Sequence, residues 1–64
     1  MDTRELIEAL GGVNAVARMV GHKYPTRVSY WRRVNYISNW ADGELVLKAA
    51  KKKGINVKRE DLLK

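Results

Sequence analysis

Basic side chains dominate two stretches of this chain that contain no acidic residue, one between Glu8 and Asp42 and one from Leu45 to Arg59. Ammonium and guanidinium groups gathered in this way attract a polyanion. Such clustering is typical of nucleic-acid-binding proteins, although small ribosomal and membrane-surface proteins share it. The first stretch holds Arg18, His22, Lys23, Arg27, Arg32 and Arg33, and the second holds Lys48, Lys51, Lys52, Lys53 and Lys58.

The acidic and metal-binding residue types do not suggest catalysis. Glu5 with Glu8, and Glu60 with Asp61, are explained by helix capping and helix-end electrostatics rather than by acid-base chemistry. The chain has no cysteine and one histidine, which excludes disulfides and zinc-finger sites. A chain of 64 residues is also too short to enclose a deep substrate cavity. We therefore expect no enzyme, no cofactor, no metal and no small-molecule ligand.

Composition predicts one folded domain over residues 1–64. The 13 Lys and Arg outnumber the 7 Asp and Glu, which gives a net charge of +6, while 45% hydrophobic residues are too many for a disordered basic tail. No apolar stretch approaches the roughly 18 to 20 residues that span a bilayer, and the N-terminus is charged rather than signal-like. We expect a cytoplasmic protein that does not enter a membrane.

Helical spacing of apolar residues predicts an all-α fold of four to five short helices. Asp2 and Glu5 form a capping-box signature, Gly21 can end a helix in a left-handed conformation, and Pro25 suits the first position of a helix. The predicted elements are a helix at about 3–10, a very short helix over Val13 to Val20, a helix at about 25–33, a helix at about 39–53 with Ser38 as its N-cap, and a closing turn at about 59–63.

The segment from Tyr36 to Leu47 also permits a hairpin. Asp42-Gly43 is a strong short-range hairpin signal. Two alanines, a lysine-rich last turn and Gly54 favour a helix instead, and we predict the helix.

The second and third predicted helices form a helix-turn-helix. Ala17 lies four residues before Gly21, so a small residue allows close helix approach and a glycine allows the turn. Trp31 and Trp40 are both expected in the core, together with the residues where the helices cross, which are Val16, Val20 and Val28. The outer face of the third helix is then left for solvent or DNA, and it consists of Thr26, Arg27, Ser29, Tyr30 and Arg33, preceded by Lys23 and Tyr24.

Two segments carry a resemblance to a known family. Gly11-Gly12-Val13-Asn14-Ala15-Val16-Ala17-Arg18-Met19-Val20-Gly21 followed by Val28-Ser29-Tyr30-Trp31 resembles the Cro-like repressors of temperate phages and prophages, a lambda-repressor-like fold, and is most similar to their YdaS-like branch. The ending Val57-Lys58-Arg59-Glu60-Asp61-Leu62 is also similar, so the resemblance covers nearly the whole chain. The chain departs from the family pattern in a longer turn before Val28, in Ser38 where proline is usual, and in Asn35 where glycine is common.

The resemblance implies a transcriptional repressor that places its third helix in the major groove of double-stranded operator DNA. Under this reading Arg27 and Arg33 pair with guanine edges. The implied base contacts are Thr26, Arg27, Ser29, Tyr30 and Arg33, and the implied phosphate contacts are Asn14, Lys23, Tyr24 and Arg32.

Two further interpretations stay open. A small interaction protein of the same fold, such as an antitoxin or an inhibitor, would act through a protein partner instead of DNA. Consecutive Leu45, Val46 and Leu47 exceed what one buried stripe needs, which predicts a weak homodimer through the fourth helix or on DNA. Alternatively, the C-terminal segment folds back over them through Ile55, Val57 and Leu62.

Overall fold

The computed structural model describes residues 1–21 and 25–62, and all regular structure in these ranges is helical. This confirms the predicted all-α class of four to five short helices, of which five are observed, and it shows that the hairpin over 36–47 does not form. The helices are α1 (Thr3–Ala9), α2 (Val13–Met19), α3 (Thr26–Val34), α4 (Trp40–Lys52) and α5 (Arg59–Leu62).

The predicted capping box begins α1. The Asp2 carboxylate accepts from the Glu5 backbone N–H at 2.9 Å, and the Glu5 carboxylate accepts from the Asp2 N–H at 3.1 Å. The hydrogen bond from the Glu5 N–H, followed by one from the Asn35 side chain, lowers the pKa of Asp2 from its ordinary value of 3.8. Asp2 therefore links the start of α1 to the residue that ends α3.

Two helix starts differ by one residue from the prediction. Pro25 is the N-cap of α3 rather than its first helical residue. Asn39, not Ser38, is the N-cap of α4, and its side-chain oxygen accepts from the Ala41 N–H at 3.0 Å. Asparagine and serine are about equally good N-caps, so residue preference alone did not choose between neighbours.

Asp42 and Gly43 lie inside the first turns of α4 instead of in a hairpin turn. Aspartate is favourable there because it faces the positive end of the helix dipole. Gly43 is required by packing, since a Cβ at this position would lie 2.5 Å from Cε3 of the Trp40 ring. Asp42 therefore stabilises the start of α4, and Gly43 allows close contact with the Trp40 ring.

The core lies where α1, α2 and α3 meet, and α4 and α5 close it. Trp31 is buried as expected, whereas Trp40 is only partly buried and packs against the core from outside. The fully or nearly buried apolar residues are Leu6, Ile7, Leu10, Val16, Ala17, Val20, Val28, Trp31, Ile37, Val46, Ala50 and Leu62.

The C-terminal segment folds back as one of the two alternatives predicted. Leu62 is fully buried, and its carbonyl accepts from the Ile37 N–H at 2.7 Å. Ile55 and Val57 pack partly buried against the core together with Leu47. In the part of the chain that is described, each helix is too short or too polar to cross a membrane.

Candidate nucleic-acid interface

The two faces of α3 differ sharply in exposure. Val28 and Trp31 point into the core, where α3 packs against α1 and α2. An α-helix turns by about 100° per residue, so the side chains at 26, 29, 30 and 33 point away from the buried pair. Burial of Val28 and Trp31 therefore fixes which side chains of α3 face outward.

Four of the five predicted base-contact residues lie together on this exposed face. One shallow depression is lined by Thr26, Ser29, Tyr30 and Arg33. The Arg33 guanidinium carbon lies 5.3 Å from the centre of the Tyr30 ring, a cation–π arrangement, and Tyr30 is 43% exposed. The group offers two aliphatic hydroxyls, one phenol and one guanidinium fork, all of which can form hydrogen bonds with base edges or phosphate oxygens.

Arg27 lies on one flank of this face and is not part of the depression. Its Nη1 donates to Oδ2 of Asp42 at 2.9 Å, and the Asp42 side chain is only 8% exposed. A nearly buried carboxylate needs such a cation, because burying a charge without a partner is costly. Half of the Arg27 side chain is still exposed, so its remaining donors can reach an external anion.

Arg32 lies on the opposite flank. Its Nε is 3.2 Å from Oε1 of Glu8, and both side chains are more than half exposed. Exposed pairs of this kind contribute little to stability and exchange partners readily. Asn14 is exposed in the first turn of α2, whereas Lys23 and Tyr24, the other predicted phosphate contacts, lie outside the described residues, as does His22.

The sequence did not identify the residues that hold the end of α3. Asn35 ends the helix in the left-handed region, with φ of 65° and ψ of 32°. Its Oδ1 accepts from the Arg4 N–H at 2.9 Å, and its Nδ2 donates to Asp2 at 3.2 Å. The Arg4 guanidinium donates to the carbonyls of Arg32 and Arg33 at 3.1 and 3.4 Å.

Arg4 thus places a cation at the negative end of the α3 dipole. This fixes the backbone of the last turn, where Arg33 is exposed. A signal for part of this arrangement was present, because asparagine is the commonest residue after glycine at a left-handed helix end.

The described residues hold no group of three or more His, Cys, Asp or Glu side chains that could bind a metal. Apart from the Glu8 carboxylate beside Arg32, their exposed functional groups on and next to α3 are hydroxyls, amides and cations, which suit noncovalent anion and base recognition.

Comparisons of the chain with protein-family models, with curated proteins and with solved structures found no match. The resemblance to Cro-like repressors stays a prediction from the motifs.

Proposed function

We propose that this protein is a sequence-specific DNA-binding transcriptional regulator that inserts α3 into the major groove of an operator. One observation carries the proposal, namely the exposed face of Thr26, Ser29, Tyr30 and Arg33 on a helix whose opposite face is buried. The major groove is about 12 Å wide and admits one helix. The Cro-like motifs in the sequence support the same reading.

In this proposal each part of the interface has a distinct task. Arg33 reads guanine through N7 and O6, because its guanidinium is held near Tyr30 and its backbone is held by Arg4. Thr26 and Ser29 form hydrogen bonds with neighbouring base edges. Arg32 and Arg27 flank the face and contact the phosphates on either side, so that they set the register of the helix without reading sequence.

The proposed mechanism is occupancy, not catalysis. A bound protein excludes RNA polymerase or a competing regulator from the operator, and this requires no cofactor. The site of action is the cytoplasm, where the operator lies. The net charge of +6 raises the rate of association with DNA and supplies affinity for any duplex, which shortens the search for the operator.

The first experiment selects duplexes from a random-sequence pool with the purified full chain at near-physiological salt, followed by sequencing. We expect an enriched motif, and its half-site spacing reports how many copies bind. Retention without enrichment would contradict sequence reading and leave only backbone binding. Binding that depends weakly on salt would favour a protein partner, because neutralising several phosphates makes the salt dependence steep.

The second experiment compares Arg33→Ala with Arg32→Ala on the selected motif and on random DNA. The two variants remove the same charge from adjacent exposed positions. Arg33→Ala is expected to cost about 1 to 3 kcal/mol on the motif and much less on random DNA. Arg32→Ala is expected to weaken both about equally. Equal losses on both duplexes for Arg33→Ala would rule it out as a base-reading residue.

A further inference from the structure

α4 carries a second stripe besides the one that it buries. Its buried side includes Val46 and Ala50. Leu45, Lys48, Ala49 and Lys52 recur at spacings of three and four residues, so they share another face of the same helix. Leu45, the largest apolar side chain on this second face, is 41% exposed.

This face forms one wall of a shallow groove of about 360 Å³. Met19, at the end of α2, supplies apolar surface from the other side and is 37% exposed. The groove therefore has apolar surface from Met19, Leu45 and Ala49, with cations from Lys48, Lys52 and Lys53 around it. It shares no residue with the depression on α3.

We propose that this groove docks an acidic amphipathic helix of a partner protein. Apolar side chains of that helix contact Met19 and Leu45, while its glutamates or aspartates pair with the lysines. Such a helix would contact both the apolar surface and the lysines of the groove. A helix laid into a groove presents its apolar anchors at the same three- and four-residue spacing that α4 presents here.

The other occupants fit less of the groove. A second copy would meet it across a two-fold axis, which brings a second set of the same three lysines into the contact between chains of charge +6. Like charges facing each other disfavour that pairing. DNA phosphates would use the lysines, but they offer no apolar surface to Leu45 and Met19.

The small area of the groove implies a weak and reversible contact. Interfaces at the low end of the size range belong to transient signalling encounters. We expect dissociation constants of tens to hundreds of micromolar for an isolated helix. Such a partner would be held more tightly when DNA keeps both proteins close together.

The test titrates the full isotope-labelled chain with a synthetic peptide of about four helical turns, which carries leucines at positions i, i+3, i+4 and i+7 and glutamates elsewhere. Amide chemical shifts should change for Met19, Leu45, Lys48, Ala49 and Lys52. A scrambled peptide of equal composition should bind at least about fivefold more weakly, because it retains the charge without the apolar stripe.

Leu45→Ser and Tyr30→Ser form the matched pair of variants. Both replace side chains of similar exposure, 41% and 43%, so neither opens the core, and equal urea midpoints verify this. Leu45→Ser should raise the dissociation constant of the peptide about fivefold or more, whereas Tyr30→Ser should leave that constant unchanged.

Four outcomes would overturn the proposal. They are equal binding of the scrambled peptide, shifts confined to α3, loss of self-association rather than of peptide binding in Leu45→Ser, and shifts at Leu45 and Lys48 on addition of duplex DNA alone. The peptide titration contains no DNA, so its failure is separate from a failure of the DNA-binding proposal.

Discussion

Arg27 serves the fold as well as the interface. Its guanidinium bonds to Asp42, so part of the positive charge that the sequence assigned to DNA is already matched within the chain. Arginine suits this double role, because its five donors allow one edge to bind a carboxylate while the others face outward. The consequence is that Arg27→Ala would disturb stability and DNA affinity together, which makes Arg33 the cleaner probe of base reading.

Asp42→Asn should remove the carboxylate that partly neutralises Arg27. We expect the affinity for random duplex DNA to rise at low salt, with the slope of log affinity against log salt steeper by at most about 0.9, because Arg27 already faces phosphate with its remaining donors. The free energy of unfolding should fall by about 1 to 2 kcal/mol, because a charge-assisted hydrogen bond is lost. Fluorescence anisotropy at several salt concentrations and urea unfolding measure the two effects.

Glu44→Gln is the matched control for Asp42→Asn, since it removes the same charge from an exposed position of α4. It should raise DNA affinity less and leave stability nearly unchanged. An equal rise in both variants would mean that net charge alone is responsible and that Arg27 is not restrained by Asp42.

The lowered pKa of Asp2 predicts that acid destabilises the fold. Its pKa is lowered by the hydrogen bond from the Glu5 N–H and then by the one from Asn35, so the unfolded chain binds a proton at a higher pH than the folded chain does. The stability that Asp2 contributes is therefore present above about pH 4 and is lost as the pH falls through the lowered pKa.

Asp2→Asn keeps a capping oxygen but removes the charge. Its free energy of unfolding should lie below that of the wild type at pH 7 and approach it as the pH falls below about 4. Urea unfolding at stepped pH checks this, and a constant gap down to pH 2 would show that the charge is irrelevant to the cap.

At the scale of elements, α3 has one buried and one exposed face, and hydrogen bonds from α1 hold its C-terminal end. α1 provides the Arg4 guanidinium for the last carbonyls of α3 and an N–H for Asn35, while Asp2 accepts from the Asn35 amide. The exposed face of α3 gains rigidity from residues that do not belong to it, which in the proposed DNA complex would reduce the entropy lost on binding.

Replacement of Asn35 should separate backbone strain from hydrogen bonding. Asn35→Ala places a Cβ without a polar group in the left-handed region and loses both side-chain bonds, for an expected cost of about 2 kcal/mol. Asn35→Gly keeps the backbone conformation and loses only the bonds, for about 1 kcal/mol. Urea midpoints give both values, and equal losses would show that the left-handed conformation contributes no strain.

Helix positions were predictable here because their signals are local. The capping box at Asp2 and Glu5, the glycines around α2 and the lysine-rich end of α4 each act within one or two turns, and the observed helix ends fall within about two residues of the predicted ones. The hairpin alternative is wrong because residues 40–52 form a helix, and Gly43 there allows close approach of the Trp40 ring, a contact that turn rules do not include.

The composition of the candidate interface was also predictable, but its internal partners were not. Helical spacing predicted one outer face for five residues. Four of them, Thr26, Ser29, Tyr30 and Arg33, line one depression, whereas Arg27 lies on its flank. The pairing of Arg27 with Asp42 joins α3 to α4 across 15 positions of the chain, and no local pattern encodes it. The partial exposure of Trp40, against which Arg59 stacks at 4.6 Å, likewise depends on how α5 closes the fold.

At the scale of the whole molecule, size limits what one copy can read. The Cα atoms extend over 25 × 23 × 19 Å, so the long axis is shorter than the roughly 34 Å between successive half-sites on one side of a duplex. One α3 can contact only a few base pairs. For the proposed operator binding, this size favours two copies on a longer site, and the weak homodimer expected from the sequence stays a prediction.

We expect these two copies to associate on DNA rather than in free solution. The lysines around Leu45 and the net charge of +6 oppose pairing of free chains, whereas phosphates neutralise much of that charge once two chains lie on neighbouring half-sites. Light scattering of the free protein should give the monomer mass of 7.3 kDa, with weak self-association at most. A complex with a selected two-half-site operator should contain two chains, and with a single half-site one chain that binds at least about tenfold more weakly. One chain on the full operator at saturation would contradict the paired mode, and a stable free dimer that Leu45→Ser dissociates would place the contact on α4 instead.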